Sequence, residues 1–113
     1  MTPGTRSNEH ASLKLSIPFS LPDTMRDKVL EVTSLSTDPE FRMRGHATDL
    51  MDKVCWEADK AKMALMLEPR DYDEGGPSAR ALQAWYFRRF GFVVFQNVSK
   101  KPKLPTLMIR TPR

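Results

Sequence analysis

The chain has 113 residues, of which 40% are hydrophobic and 28% are charged. This length fits one domain, and the composition is typical of a soluble globular protein. No apolar run approaches the roughly 18 residues of a membrane span, and the polar segment Met1–His10 lacks the apolar core of a secretory signal. The single cysteine, Cys55, has no second cysteine to pair with, so we expect a packing role for it and a reducing, cytoplasmic compartment.

The charge balance is basic, with 18 Lys and Arg residues against 14 Asp and Glu residues. Such an excess attracts nucleic acid, an acidic protein or the phosphates of a cofactor. Aromatic residues that could stack on bases are not interleaved with the C-terminal cations, which makes nucleic acid the weaker prediction and ordinary solvation the stronger one. These cations are Lys100, Lys101, Lys103, Arg110 and Arg113.

The first third of the chain predicts a tail followed by two strands. Met1–His10 reads as a flexible polar tail outside the domain, which we place at residues 11–113. Apolar and polar residues alternate over Ala11–Phe19, as in a half-buried strand. A second strand is predicted over Lys28–Ser36, and Asp38-Pro39, a pair typical of turns, ends it.

The middle of the chain predicts a helix and a buried strand. Thr48–Lys62 has apolar residues at the spacing of one helical face. Met63–Leu67 is nearly continuous in apolar residues, as expected of a strand covered on both faces, and Arg70–Pro77 reads as a loop. The apolar helix face consists of Leu50, Met51, Val54, Cys55, Ala58 and Ala61.

The last third predicts a second helix and two closing strands. Ser78 is placed to cap this helix, and Gly91 to end it. Strands follow over Phe92–Phe95 and Thr106–Ile109. Strands alternating with helices indicate an α/β fold with a mixed sheet.

The segment Leu30–Leu50, which reads LEVTSLSTDPEFRMRGHATDL, has the design of an anion-binding turn. A strand leads into a turn, a glycine allows close backbone approach, and a helix begins with N–H groups that lack intrahelical partners. The positive end of the helix dipole lies at the same place, so a pyrophosphate would fit there.

Within this segment, Arg42-x-x-Gly45-x-Ala47 resembles motif A of the GNAT superfamily of N-acetyltransferases. The resemblance extends over Leu30–Ile109 because an apolar strand and a helix with an aromatic pair before Gly91-Phe92 follow in the family's order. It implies a GNAT-like acyl-CoA N-acyltransferase fold with a shortened N-terminal part, similar to small acetyltransferases of some phages.

The resemblance implies acetyl-coenzyme A as cosubstrate and no metal. His10 and His46 are also too few, and too far apart in the sequence, to indicate a metal site. In the family, the pantetheine arm pairs with a strand backbone, here at Leu35, Ser36 and Thr37. The implied pyrophosphate site, including its flanking arginines, is Arg42, Met43, Arg44, Gly45, His46, Ala47 and Thr48.

Two catalytic residues are predicted for acetyl transfer to an amine. Glu31 lies in an otherwise apolar strand, where partial burial would raise its pKa toward that of a general base. Its position also resembles that of the glutamate base of protein-lysine acetyltransferases in this superfamily. The family's tyrosine acid corresponds to Phe87 when counted back from Gly91, and to Tyr86 with one extra residue before that glycine. Tyr86 is the predicted donor.

The shortened front predicts an open acceptor groove, which favours a protein lysine over a small metabolite. A second subunit in a homodimer is an alternative source of the missing wall. The loop acids Asp71, Asp73 and Glu74 lie where relatives contact the acceptor. A catalytically weak GNAT-fold binding module, which inhibits or recruits a partner protein, remains the alternative function.

Overall fold

The computed structural model describes residues 1–18, 28–38, 45–69, 78–96 and 106–113. In these ranges one mixed sheet has the strand order β1-β2-β3-β4-β6-β5. The elements in chain order are β1 (Gly4–Ser7), β2 (Ala11–Ser16), β3 (Val29–Thr37), α1 (His46–Ala61), β4 (Ala64–Leu67), α2 (Ala79–Trp85), a π-helical turn (Tyr86–Phe90), β5 (Val93–Gln96) and β6 (Leu107–Arg110).

The connectivity follows from the helix between β3 and β4. These two strands are parallel, and α1 is the crossover that a parallel pair requires. All other neighbouring strands in the sheet are antiparallel. The predicted α/β class with a mixed sheet is therefore confirmed, and the predicted strands and helices agree with the structure to within a few residues at their ends.

The N-terminal residues differ from the expected flexible tail, because Gly4–Ser7 form β1 at the edge of the sheet. The strand pairs with β2 from Gly4, opposite Leu15, to Ser7, opposite Ser12. Arg6 Nη2 also forms a 3.0 Å ion pair with Glu57 on α1. The polar sequence GTRS carries no hydrophobic alternation, so its strand character depends on these distant partners.

The main core lies between α1 and one face of the sheet. Five of the six residues predicted for the buried face of α1 are buried; Ala61, in the last turn, is exposed. All four residues of β4 are buried, as predicted for a strand covered on both faces. Ser78 caps α2 as predicted, its hydroxyl accepting a 3.2 Å hydrogen bond from Ala81 N.

A buried arginine joins the end of α1 to β6. Arg110 is 5% exposed, and its two terminal nitrogens donate to the Asp59 carboxylate at 2.8 and 2.9 Å. Its Nε donates to the carbonyl of Phe90 at 2.8 Å. The side-chain hydrogen bonds from Arg110 lower the pKa of Asp59, and the same bonds raise the pKa of Arg110. The pair connects three elements distant in sequence.

Candidate cofactor and active site

The two parallel strands separate at one end, and this gap is the centre of the candidate site. They pair from Val29, opposite Ala64, to Val32, opposite Leu67. β4 ends at Leu67, whereas β3 continues to Thr37 and is paired there with β2. Among the described residues, no strand lies against the other edge of β3 beyond Val32. With respect to the described part of the chain, the backbone N–H and C=O groups on that edge are available to an extended ligand.

A bulge in β3 marks the point of separation. Lys14 and Leu15 are consecutive in β2, but their partners are Ser34 and Val32, so Thr33 is the additional residue. Bulges bend a strand and increase its twist, and they occur often beside active sites. The sequence gives no signal for this bulge, because Thr33 suits a regular strand equally well.

Gly45 stands immediately before α1 in a left-handed conformation, with φ of 86°. It is exposed, and a Cβ built on it would meet no atom of the described residues within 4 Å, apart from the chain adjoining the glycine. Glycine is favoured at this position because it adopts a positive φ without steric cost, and the space beside it is open to a ligand. Gly45 supplies no side-chain cap, so the positive end of the 16-residue helix is not screened by a capping oxygen.

The turn between β1 and β2 holds the start of α1 against the end of β3. Asn8 Nδ2 donates to the carbonyl of His46 at 2.9 Å, and the rings of His10 and His46 lie 4.6 Å apart, edge to face. The carbonyl of His10 accepts from Asp38 N at 2.8 Å, just after β3. The sequence patterns gave no role to Asn8. The available signal was an asparagine, a residue typical of turns, two positions before His10.

The structure brings the two halves of the predicted cofactor site to the same end of the sheet. Leu35, Ser36 and Thr37 lie in the part of β3 that extends beyond β4, and Gly45, His46, Ala47 and Thr48 form the start of α1. Arg42, Met43 and Arg44 lie outside the described residues, as do the loop acids Asp71, Asp73 and Glu74.

Glu31 lies beside the gap between the strands. It is half-buried and opposite Met66, one position before the last pair of β3 with β4. Its neighbours Leu30 and Val32 belong to the core under α1, so alternation along the strand directs Glu31 to the other face of the sheet. A group on that face reaches the gap from the side opposite the helix.

Tyr86 and Phe87 occupy different environments. Tyr86 is 3% exposed and belongs to the buried cluster that includes Val32 and Leu67, the last pair before the gap. Its ring lies 5.6 Å from that of Phe92. Phe87 is 58% exposed. The inward residue at this point of the helix is therefore Tyr86.

The π-helical turn Tyr86–Phe90 explains the register of this helix end. A π turn accommodates one residue more than an α turn, and such turns occur frequently at functional sites. The alignment that places Tyr86 in the tyrosine position needs one extra residue before Gly91. The π turn accommodates this extra residue between Tyr86 and Gly91.

Cys55 has the buried position predicted for it. Cys55 is buried on α1, and burial raises the pKa of its thiol to about 11, which confirms a packing role.

The described residues contain no group of three or more His, Cys, Asp or Glu side chains that could hold a metal ion. None of the helices in these ranges is long and apolar enough to cross a membrane.

No protein-family model matches the sequence, and none of the curated proteins matches it. Solved structures do match the fold. The anti-CRISPR protein AcrVA5 superimposes with a TM-score of 0.71 at 15% identity, over 98% of this chain and 100% of that one. An acetyltransferase of the GNAT family from Staphylococcus aureus gives 0.59 at 14% identity, over 95% of this chain and 65% of that one. The N-acetyltransferase YlbP of Bacillus subtilis, solved with coenzyme A, gives 0.54 at 20% identity, over 91% and 60%.

The chain therefore has the fold of GNAT N-acetyltransferases, as the resemblance of its Arg42–Ala47 motif implies. It covers the whole of AcrVA5 but less than two thirds of the two bacterial acetyltransferases. At these identities the shared property is the fold.

Proposed function

We propose that this protein is an N-acetyltransferase that moves an acetyl group from acetyl-coenzyme A to the side-chain amine of a protein lysine. The observation that carries the proposal is the separation of β3 from β4 beyond Val32 and Leu67, at the end of the sheet where α1 begins. An exposed strand edge and the positive end of a helix then lie close together.

The described residues fit acetyl-coenzyme A at this place. The free edge of β3 at Leu35, Ser36 and Thr37 offers backbone groups to an amide-bearing arm. Gly45 and the helix start offer open space and a positive dipole to phosphates. We assign Arg42, Met43 and Arg44, on sequence grounds, to the same phosphate site. Bound there, the cosubstrate supplies an activated acetyl thioester.

Glu31 is the proposed general base. Its carboxylate accepts a proton from the acceptor amine, directly or through a water, because only the neutral amine is a nucleophile. Its half-buried position beside the gap, on the face opposite α1, supports this role. The acceptor would then approach across that face.

Tyr86 is the proposed proton donor to the departing sulfur. Its hydroxyl would act from the core side of the gap, within the cluster that contains Val32 and Leu67. The outward position of Phe87 and the π turn that begins at Tyr86 both support this choice over the alternative register.

A protein acceptor is supported by one of the matched structures. The anti-CRISPR protein AcrVA5 aligns over 98% of this chain and 100% of its own. Its name connects a domain of the same fold with action against a CRISPR system, which is a macromolecular target and not a small metabolite.

The first experiment is calorimetric titration of the protein with acetyl-coenzyme A, together with two variants at Gly45. Gly45→Asn tolerates a left-handed conformation and adds a small side chain. Gly45→Trp places a large side chain in the open space beside the helix start, where a Cβ meets no described atom within 4 Å, and Gly45→Asn controls for the backbone strain that any side chain brings at this φ. We expect binding by the native chain and by Gly45→Asn, and at least tenfold weaker binding by Gly45→Trp. Native binding that both variants retain would refute this phosphate site.

The second candidate is a binding module that shares the fold and performs no transfer. The match to an anti-CRISPR protein favours it equally, because inhibition of a partner requires no chemistry. The two are separated by incubating the protein with candidate partner proteins, with and without acetyl-coenzyme A. Lysine acetylation found by mass spectrometry only in the presence of the cosubstrate supports the enzyme. A partner complex that forms without it, with no acetylation, supports the module.

A further inference from the structure

A groove between α2 and β5 lies on the surface outside the candidate site. It encloses about 430 Å³, with Phe87 on the helical side and Val93 and Val94 on the strand side, and it is also lined by Met108. Phe87, Val93 and Val94 are 58%, 48% and 37% exposed, whereas Met108 is 1% exposed. We call this feature the α2–β5 groove. These apolar side chains are gathered around one groove and are not scattered singly over the surface, which is the arrangement of a small binding surface.

The charged residue among those that line the described part of the α2–β5 groove is a cation. This residue is Arg80, and Arg88 follows Phe87 directly. Both are exposed, and neither forms an ion pair within the described ranges, whereas Arg89 is paired with Asp52 at 2.9 Å. From Ser78 to the C-terminus the sequence contains no acidic residue. Its eight basic residues are Arg80, Arg88, Arg89, Lys100, Lys101, Lys103, Arg110 and Arg113.

This charge argues against a second copy of the chain as the occupant. A two-fold contact centred on the groove would bring the same cationic surface of both copies together, and no acidic residue among the described lining residues offsets that repulsion. The edge strand is also interrupted, because Val94 is opposite Met108 and Gln96 opposite Leu107, leaving Phe95 as an additional, bulged residue. Bulges at sheet edges discourage continuous pairing with another strand.

The lining also argues against nucleic acid. Proteins that bind single strands without sequence preference combine cations with flat aromatic platforms for successive bases. Among the described residues that line the α2–β5 groove, Phe87 is the one aromatic residue, and Val93 and Val94 are aliphatic. An apolar floor with cationic surroundings is instead complementary to an apolar side chain flanked by carboxylates.

We propose that the α2–β5 groove docks an acidic protein segment, inserting one of its large apolar side chains between Phe87 and Val93. The neighbouring carboxylates of that segment face Arg80 and Arg88. The groove adjoins the proposed acetyl-transfer site, since Met108 is paired with Leu67 in the sheet. None of its lining residues is a proposed catalytic or cofactor-binding residue, so the proposal does not depend on acetyl transfer.

The test is a titration of ¹⁵N-labelled protein, followed by amide chemical shifts. The probe is a twelve-residue peptide in which glutamates flank a central Leu-Phe-Leu, and the control peptide has lysine at every glutamate position. We expect the acidic peptide to shift the amides of Arg80, Phe87 and Val94 in a saturable manner. The lysine peptide should not shift them.

Two variant pairs separate the groove from general surface effects. Arg80→Glu is expected to weaken binding of the acidic peptide about fivefold, whereas Lys53→Glu, the same charge change on α1, should leave it unchanged. Val93→Asp is expected to abolish saturable binding. Its matched control is Ile17→Asp, because Ile17 is 47% exposed against 48% for Val93 and lies outside the groove. The amide spectrum of each variant reports whether it is folded.

Four results would overturn the proposal. The acidic peptide produces no saturable shifts at the groove, or the lysine peptide binds equally well. Alternatively, an oligothymidylate of twelve nucleotides competes for the same amides, which indicates nucleic acid. Finally, sedimentation velocity shows a dimer that Val93→Asp dissociates, which assigns the groove to a second copy of the chain.

Discussion

Replacing Asp59 by alanine is expected to destabilise the protein far more than replacing Asp52, although the two arginine–carboxylate distances are nearly equal. Arg110 lies 2.8 Å from Asp59, and Arg89 lies 2.9 Å from Asp52. The two pairs differ in exposure, since the side chains are 6% and 25% exposed in the first and 52% and 43% exposed in the second. Both aspartates lie on α1, which makes Asp52→Ala a matched control.

The magnitude follows from the arginine that remains. Of the three hydrogen bonds that the buried guanidinium of Arg110 makes to described residues, only the one to the carbonyl of Phe90 remains without the Asp59 carboxylate. Leaving one charge of a buried pair without its partner costs about 3–5 kcal/mol. Because Asp59 is partly exposed, we expect the lower end, about 3 kcal/mol. The exposed pair of Asp52 contributes about 0.2–1 kcal/mol.

The assay is urea unfolding at neutral pH, with the free energy of unfolding extrapolated to water. A double variant, Asp59→Leu with Arg110→Met, removes both charges and should recover part of the loss, since an apolar replacement leaves no buried charge. Equal losses for Asp59→Ala and Asp52→Ala would refute the reasoning. So would a double variant less stable than Asp59→Ala, because the loss would then reflect packing.

The same pair predicts a dependence on pH. The pKa of Asp59 is lowered from its ordinary value of 3.8 in the folded protein, chiefly by the hydrogen bonds from Arg110. The stabilisation is therefore fully present above 3.8 and is lost as the pH falls through the folded pKa. The difference in unfolding free energy between the native chain and Asp59→Ala should shrink below that pH. A constant difference would contradict the assignment.

The remaining predictions concern the proposed site. Glu31→Gln should flatten the rise of kcat/KM with pH while acetyl-coenzyme A still binds, and an unaltered pH profile would exclude Glu31 as the base. Tyr86→Phe should lower kcat by about 10²-fold at unchanged affinity for acetyl-coenzyme A, whereas Phe87→Leu should leave kcat unaltered. A decrease in kcat for Phe87→Leu as large as that for Tyr86→Phe would contradict the choice of Tyr86 over Phe87. Asn8→Ala should weaken acetyl-coenzyme A binding in calorimetry, because the amide that anchors the His46 carbonyl is lost, and should cost about 1–3 kcal/mol in urea unfolding. Asn8→Asp keeps the side-chain oxygen that accepts from the backbone N–H groups of His10 and Ala11 and loses the donor to His46. If this variant binds acetyl-coenzyme A like the native chain, the anchoring role is wrong.

Local patterns determined most of the secondary structure. The apolar spacing of α1, the continuous apolar run of β4 and the Ser78 cap depend on residues close in sequence, and each is confirmed. The turn before α1 is likewise a local signal, because a glycine followed by a helical pattern is sufficient to indicate a helix start.

Tertiary contacts decided the features that shape the site. β1 has no hydrophobic alternation and exists through pairing with β2, and the bulge at Thr33 appears only in the register between β2 and β3. The inward position of Tyr86 agrees with its helical spacing from Leu82 and Trp85, whereas the π turn that places one extra residue between Tyr86 and Gly91 cannot be read from a sequence pattern. The ion pair of Arg110 with Asp59 spans 51 positions in the chain. Sequence periodicity reports which side of an element is apolar, whereas register, bulges and long-range pairs are set by the partner that each element meets on folding.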